Sequence, residues 1–369
     1  LLKNKMIEVY LTIFFISVLL IFLGTGVWVG ISMIGVSTIG MLMFTSRPVG
    51  DAMATTMWSM GSSWSLTALP LFVWMGEILF RTKLSENLFK GLSPWLARLP
   101  GGLIHVNVLG CAIFAAISGS SAATVATVGK MSIPELRKRN YPENFLLGTL
   151  AGSGTLGLLI PPSIILIIYG VTVEESIAKL FIAGIIPGIG LAILFMTYVV
   201  GWSLRNKKIM PIISEDFSFL EKIKQSGQLL PVIFLIFAVI GSIYAGIATA
   251  TEAASLGVLG ALVLSYFQKS LTKESFSKSL LGATKTSCMI AFILAGSSFL
   301  TLAMAFTGLP KNLAVFIDTL QLSPYMLLLV LTLFYIILGM FLDGISAVVL
   351  TMAIIEPMIR QAGFDMIWF

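Results

Sequence analysis

The sequence predicts an all-α polytopic membrane protein built from inverted repeats, with two re-entrant hairpins and discontinuous helices. Three observations predict it. The 369 residues are 57% hydrophobic and only 11% charged, with a mean hydropathy of +0.99, whereas soluble domains carry about 25% charged residues. The second observation is a polar interruption, Ser118-Gly119-Ser120-Ser121-Ala122-Ala123-Thr124, inside a stretch from Leu103 to Val128 without Asp, Glu, Lys or Arg. A stretch of that length reads as membrane-spanning, and irregular backbone at that depth survives only where it lines a cavity or is buried in protein. The third is a like interruption in the other half, Gly339 to Ala347, again between apolar arms. Paired interrupted segments point to the binding site of a secondary transporter.

In chain order, apolar runs and polar punctuation give spans at 8–24 and 25–45, then a long segment at 51–80. That segment carries Gly61-Ser62-Ser63 at its centre and Pro70 beyond it. Its arms are each about ten to fifteen residues, too short to cross a core of about 30 Å, so a re-entrant hairpin with a polar tip is expected. A short amphipathic piece follows at 84–97, then the broken segment 103–135. The run 144–170 holds Ser153-Gly154-Thr155-Leu156-Gly157 and Pro161-Pro162, and a span follows at 178–203. The most polar linker is 204–227, where Phe217 to Gln225 reads as a surface helix. Spans at 229–247 and 250–267 precede a second long segment, 276–308, with Gly296-Ser297-Ser298 midway, and a second broken segment, 324–360.

The order of hairpin, amphipathic piece and broken helix thus occurs twice. One constant offset carries Ser120, Pro134, Arg137, Tyr141 and Phe145 onto Asp343, Pro357, Arg360, Phe364 and Trp368. The number of crossings between the copies makes them inverted, as in alternating-access carriers. The expected organisation is scaffold helices at 1–50, a first transport repeat at 51–170, scaffold spans at 171–275 and a second repeat at 276–369. The chain opens Leu-Leu-Lys-Asn-Lys and stops at Trp368-Phe369, so the second repeat is expected to be cut short. For either Gly-Ser-Ser group the alternative is small-residue helix packing.

Five strings resemble the large membrane (M) subunit of tripartite ATP-independent periplasmic (TRAP) transporters: LTALPLFVWMGEIL at 66–79, SGSSAATVATVG at 118–129, GTLGLLIPPS at 154–163, AGIATATEAA at 245–254 and GMFLDGISAVVLT at 339–351. The resemblance implies an elevator-type fold, sodium coupling, and location in the bacterial inner membrane. It implies as partners a small four-helix membrane subunit, separate or fused, and a periplasmic substrate-binding protein that delivers an organic anion. Members of the sialic-acid type look nearest. The counterpart of Ile160-Pro161-Pro162-Ser163 in the second repeat is missing from the chain.

A sodium ion wants about five or six oxygens, which unwound carbonyls and half-helix C-termini supply, with Ser and Thr hydroxyls as supplement. The expected first cage sets Gly61, Ser62 and Ser63 against Ser118, Gly119, Ser120, Ser121 and Thr124. The second sets Ser297 and Ser298 against Gly339, Asp343 and Ser346. Asp343 is either a cation ligand or charge partner, since a carboxylate in lipid is costly, or a structural group at a helix break. Ser153, Thr155, Pro161 and Pro162 are the candidates for the anionic substrate, whose carboxylate suits half-helix N-termini; their alternative is a proline kink in a scaffold helix. Glu252 reads as a capping-box residue with Thr249, and His105, the single histidine, as a satisfied interfacial residue. Cys111 and Cys288 read as packing residues. No cofactor is expected beyond sodium as coupling ion.

The net charge of +6 describes membrane-flanking loops facing lipid headgroups, not a nucleic-acid surface. The competing classes are an intramembrane enzyme and a passive organic-anion channel. The enzyme fails on partners, because no His or Lys stands near Ser118–Ser121 in sequence. The channel needs no inverted discontinuous elements. The Lys/Arg count alone puts the mouth of the first hairpin outside; the resemblance puts it on the cytoplasmic side.

Overall fold

The computed structural model describes residues 11, 14–15, 17–81, 84–211, 218–227, 229–308, 323–340 and 342–369. Every regular element among them is helical, and residues 17–24 precede the first numbered helix. In order the helices are α1 (Val29–Phe44), α2 (Val49–Gly61), α3 (Ala68–Phe80), α4 (Leu84–Leu96), α5 (His105–Ser118), α6 (Ser121–Lys138), α7 (Glu143–Gly154), the single turn α8 (Leu156–Leu159), α9 (Ile164–Thr172), α10 (Ile177–Arg205), α11 (Phe219–Ser226), α12 (Leu230–Tyr244), α13 (Ala250–Phe267), α14 (Lys273–Thr307), α15 (Pro324–Gly339) and α16 (Gly344–Gln361). By length and composition α10, α13, α14 and α16 can each cross a membrane. The expected surface helix at 217–225 is α11, opened by a capping box between Ser218 and Glu221. Phe217 lies outside the described residues, as do 8–10, 12–13 and 16 of the span at 8–24 and the whole linker 309–322.

The chain divides into two compact units. One comprises Leu1–Leu66, Ile168–Ser176 and Ser287–Phe369; the other comprises Thr67–Ile167 and Ile177–Thr286.

In the second of these, α5, α6 and α7 run up, down and up. A Cβ on Gly110 would sit 3.5 Å from Val128, about five helical turns further along the chain. That approach requires the chain to reverse. Segment 103–135 is therefore a helical hairpin, not the broken helix its hydropathy suggests. The cause is local. Gly119 has φ +58° and closes α5 in the left-handed region, a common helix stop. Ser120 is extended and caps α6 with its own side chain. A stop followed at once by a start makes two helices, free to fold back. α6 then packs antiparallel on α7: a Cβ on Gly154 would overlap Val125, and one on Gly129 would meet Leu150. Below them Leu103, Ile104, Val106, Leu136, Leu146 and Leu156 form the buried core, each at most 1% exposed. α3 leans on α13, where a Cβ on Gly257 would lie 2.5 Å from the Met75 sulfur.

The same reversal occurs in the other unit. The Tyr335 hydroxyl on α15 lies 2.7 Å from the Thr351 hydroxyl on α16, sixteen residues later. Leu327, Leu331, Met352, Ile355 and Ile359 pack between the arms. Segment 324–360 is thus a second helical hairpin, again where a broken helix was expected. Tyr169 and Val173 pack at its open end: Tyr169 Oη donates to the Met366 carbonyl at 2.6 Å, and Arg360 donates to the Val173 carbonyl at 3.0 Å.

The expected hairpin at 276–308 is absent. α14 runs for 35 residues without a break. One internal glycine costs a helix only about 1 kcal/mol, and here it is used: a Cβ on Gly296 would meet the Gly30 carbonyl at 2.8 Å, so α1 and α14 cross at their glycines, as small residues permit in membranes. The interruption expected at Gly61–Ser63 is present, between the end of α2 and a 3-10 turn at Trp64–Thr67.

Candidate functional site

The tip of the α5–α6 hairpin concentrates oxygen. Ser118 Oγ is 2.9 Å from Thr124 Oγ1. Thr124 Oγ1 donates to the Ser120 carbonyl at 2.7 Å, and Ser118 Oγ donates to the same carbonyl at 3.3 Å. Ser120 Oγ accepts from the Ala123 N–H at 3.5 Å. Thr124 is fully buried and Ser118 is 7% exposed. Ser121 opens α6. Either side of Gly119 the two helices present opposite poles. The last carbonyls of α5 have no intrahelical partners, nor do the first N–H groups of α6, so a cation is favoured at one pole and an anion at the other.

The tip abuts a second irregular stretch. After α8 the chain leaves the helix at Ile160–Ser163, passes through the cis bond Pro161–Pro162, and resumes as α9 with a 41° bend. So 144–170 is the broken helix of this unit. Its Ile164 N–H donates to the Gly119 carbonyl at 3.3 Å. Three glycines let three backbones touch here. A Cβ on Gly119 would lie 2.9 Å from Ile164 N and 3.0 Å from the Pro162 carbonyl oxygen. A Cβ on Gly157 would lie 2.9 Å from the Ser120 carbonyl and 3.0 Å from Ser121 N. On α3, a Cβ on Gly76 would lie 3.1 Å from Ser118 Cα and 3.2 Å from the Ile117 carbonyl oxygen. Neither Gly76 nor Gly157 was expected as a site residue, although both stand in the resembling strings and Gly157 belongs to the small-residue run in 144–170; the signal was a glycine facing a polar tip, which only the fold reveals. Among the described residues no group of three or more His, Cys, Asp or Glu comes together, so a cation held at this tip would meet neutral oxygens.

Of the expected substrate residues, Pro161 and Pro162 lie in the break beside the tip. Ser153 and Thr155 spend their hydroxyls within the helix, donating to the carbonyls of Thr149 at 2.6 Å and Gly152 at 2.7 Å. Gly61, Ser62 and Ser63 belong to the other unit; there Ser62 Oγ donates to the Ser59 carbonyl at 3.3 Å.

At the second tip, Gly339 ends α15 and Asp343 caps α16. The Asp343 carboxylate accepts from the N–H groups of Ile345 at 3.2 Å and Ser346 at 3.3 Å. Asp343 is exposed and Ser346 buried. Ser297 and Ser298 do not form a facing tip. They lie within α14, and Ser297 Oγ donates at 2.7 Å to the carbonyl of Val349, well into α16 and more than one turn beyond Asp343. Their small size serves helix packing, and the hydroxyl satisfies a carbonyl that would otherwise go without a side-chain donor.

Glu252 closes a capping box with Thr249, accepting from its N–H at 2.8 Å. His105 is fully buried, with Nε2 2.9 Å from the Pro100 carbonyl oxygen. Cys111 is buried, Cys288 is exposed, and both are free.

Apolar helices of spanning length, two helical hairpins and a helix opened against a hairpin tip define a multi-pass membrane protein of the transporter class. The chain belongs to the DctM component family of tripartite ATP-independent periplasmic transporters, whose family model matches residues 16–369. It is 32% identical over 329 residues to the C4-dicarboxylate TRAP transporter large permease protein DctM of Pseudomonas aeruginosa, covering 88% of this chain and 75% of that one. It is 31% identical to the sialic acid TRAP transporter large permease protein SiaM of Vibrio cholerae, covering 93% and 80%. It is 30% identical to the isethionate TRAP transporter permease protein DctMQ of Oleidesulfovibrio alaskensis, covering 95% and 55%. These relatives are transporter permeases, not enzymes.

Proposed function

We propose that this chain is the large membrane subunit of a sodium-coupled secondary transporter for a small organic carboxylate, with sialic acid as the first substrate to test. It sits in the bacterial inner membrane, takes substrate from a periplasmic binding protein, and works with a small four-helix membrane subunit, either separate or fused. Support for the substrate class comes from the relatives, which are named for C4-dicarboxylates, sialic acid and isethionate. The first two are carboxylates and isethionate is a sulfonate; all three are organic anions.

The observation that carries the reading is the contact between the α5–α6 tip and the break at Ile160–Ser163. Sodium takes the α5 carbonyl pole with Ser118, Ser120 and Thr124; the substrate carboxylate takes the N–H pole of α6. A second ion takes Gly339, Asp343 and Ser346 at the other tip. The hairpins α5–α6 and α15–α16 are the re-entrant elements. α5, with 14 residues, is about 21 Å long against a core of about 30 Å. They move in an elevator motion.

Uptake of labelled sialic acid and succinate into proteoliposomes holding the assembled transporter, with binding protein added, tests this. Accumulation that needs an inward sodium gradient is expected. Equal uptake with potassium replacing sodium would sink the coupling, and downhill equilibration alone would make the chain a channel.

A further inference from the structure

A groove of about 510 Å³ runs between α7 and α10 over a floor of α5. Its walls are aromatic. Phe145 stacks on Trp202 with ring centroids 3.8 Å apart, and Phe195 and Tyr198 continue along α10. Tyr198 is 60% exposed. A Cβ on Gly148 would meet nothing within 4 Å, so the groove is open along α7. The hydroxyls of α7 that line it are already engaged: Thr149 Oγ1 donates to the Leu146 carbonyl at 3.0 Å and Ser153 to that of Thr149. The interior therefore offers apolar surface, with Asn144 as an exposed polar group in the lining.

The end of the groove at Trp202 is cationic. Arg205 follows Trp202 by three residues and shares its helix face. Lys207 and Lys208 are exposed in the turn that follows. From Ile177 to Met210 the chain has no Asp or Glu. Trp and Tyr gather at membrane interfaces, and basic residues beside the end of a span attract anionic headgroups. A transmembrane helix is roughly 10 Å across, so the groove would hold little more than one turn of one; a flexible chain fits its length.

We propose that this groove is a binding site for one anionic phospholipid. An acyl chain lies between α7 and α10 against Phe145, Phe195 and Tyr198, and the headgroup phosphate meets Arg205, Lys207, Lys208 and Asn144. The site stands independently of what the transporter carries.

Native mass spectrometry of the assembled transporter, released from nanodiscs of equal phosphatidylglycerol and phosphatidylcholine, tests it. One retained phosphatidylglycerol per chain is expected, in several-fold excess over phosphatidylcholine. Arg205→Ala with Lys207→Ala and Lys208→Ala should lower that excess several-fold. Gly148→Leu, which fills the groove from an open helix position where leucine is well tolerated, should abolish retention of either lipid at this stoichiometry. Unchanged retention in Gly148→Leu, or equal retention of the two lipids by the wild type, overturns the proposal. So does a cysteine at Gly148 that cross-links to the small membrane subunit, which would make the groove a protein interface.

Discussion

The hydroxyls of Tyr335 and Thr351 meet at 2.7 Å across the two arms of one hairpin. The contact fixes the register of α15 against α16 and so places Asp343 at the turn. Thr351 Oγ1 also donates to the Ala347 carbonyl at 2.7 Å, which leaves Tyr335 as the donor in the pair. Tyr335→Phe removes that donor and leaves a partly buried Thr351 lone pair. A stability loss of about 1 kcal/mol is expected for one such bond. Combined with Thr351→Val, the loss should be less than the sum of the two single losses, read as thermal unfolding in detergent. Additive losses would mean the two arms are not coupled at this point.

Thr124 ties Ser118 to the Ser120 carbonyl at the first tip. Thr124→Val keeps the shape and removes the oxygen. The sodium concentration for half-maximal uptake should rise several-fold, with a stability loss of about 1–3 kcal/mol for the unpaired neighbours. An unchanged sodium response would move the ion away from this tip.

Gly157 admits the Ser120 backbone where any side chain would collide. The obstruction is backbone, not a flexible side-chain end, so Gly157→Ala must displace the tip. Sodium-dependent uptake should fall at least tenfold. Gly148→Ala, on the same run but facing open space, should transport like the wild type. Equal activity of the two variants would show that the close approach at Gly157 has no role in the cycle.

The places where the chain departs from regular helix were legible in sequence; the direction it takes afterwards was not. Ser118–Thr124 and Gly339–Ser346 stood out because polar residues interrupt apolar runs. A kinked span and a folded-back hairpin have the same hydropathy profile, so both were expected as broken helices. The discriminating signal was short. Gly119 is a helix stop and Ser120 a helix start, with nothing between them. The constant offset that carries Ser120 onto Asp343 joins two residues with the same task, each capping the second arm of its hairpin. Gly296-Ser297-Ser298 misled for the opposite reason: small polar residues also suit close helix crossings, and α14 continues through them. The roles of Gly76 and Gly157 depend on which backbone lies opposite, and no local pattern encodes that.

The hairpin course of α5–α6 is open to labelling. With Cys111 and Cys288 replaced by alanine, single cysteines at Leu99 and Lys138 mark the open ends of the two arms. A membrane-impermeant thiol reagent should reach both from one side of the membrane. Reaction from opposite sides would require a full crossing and would contradict the contact of Gly110 with Val128.

Asp343 separates charge from structure. Its carboxylate accepts two backbone N–H groups at the start of α16, and asparagine fills that capping role about as well as aspartate. Asp343→Asn should therefore fold, insert and associate with the small membrane subunit, with little change in unfolding temperature. Asp343→Ala loses the cap and should cost about 1 kcal/mol. If the carboxylate helps to hold a sodium ion, both variants lose the charge. Coulomb attraction strengthens as water is excluded, so half-maximal uptake should need several-fold more sodium in both. The two readouts then disagree in a way that a purely structural role cannot produce: Asp343→Asn is stable yet defective in sodium response. If instead Asp343→Asn transports like the wild type and only Asp343→Ala is impaired, Asp343 is a helix cap alone, and the second ion lies elsewhere.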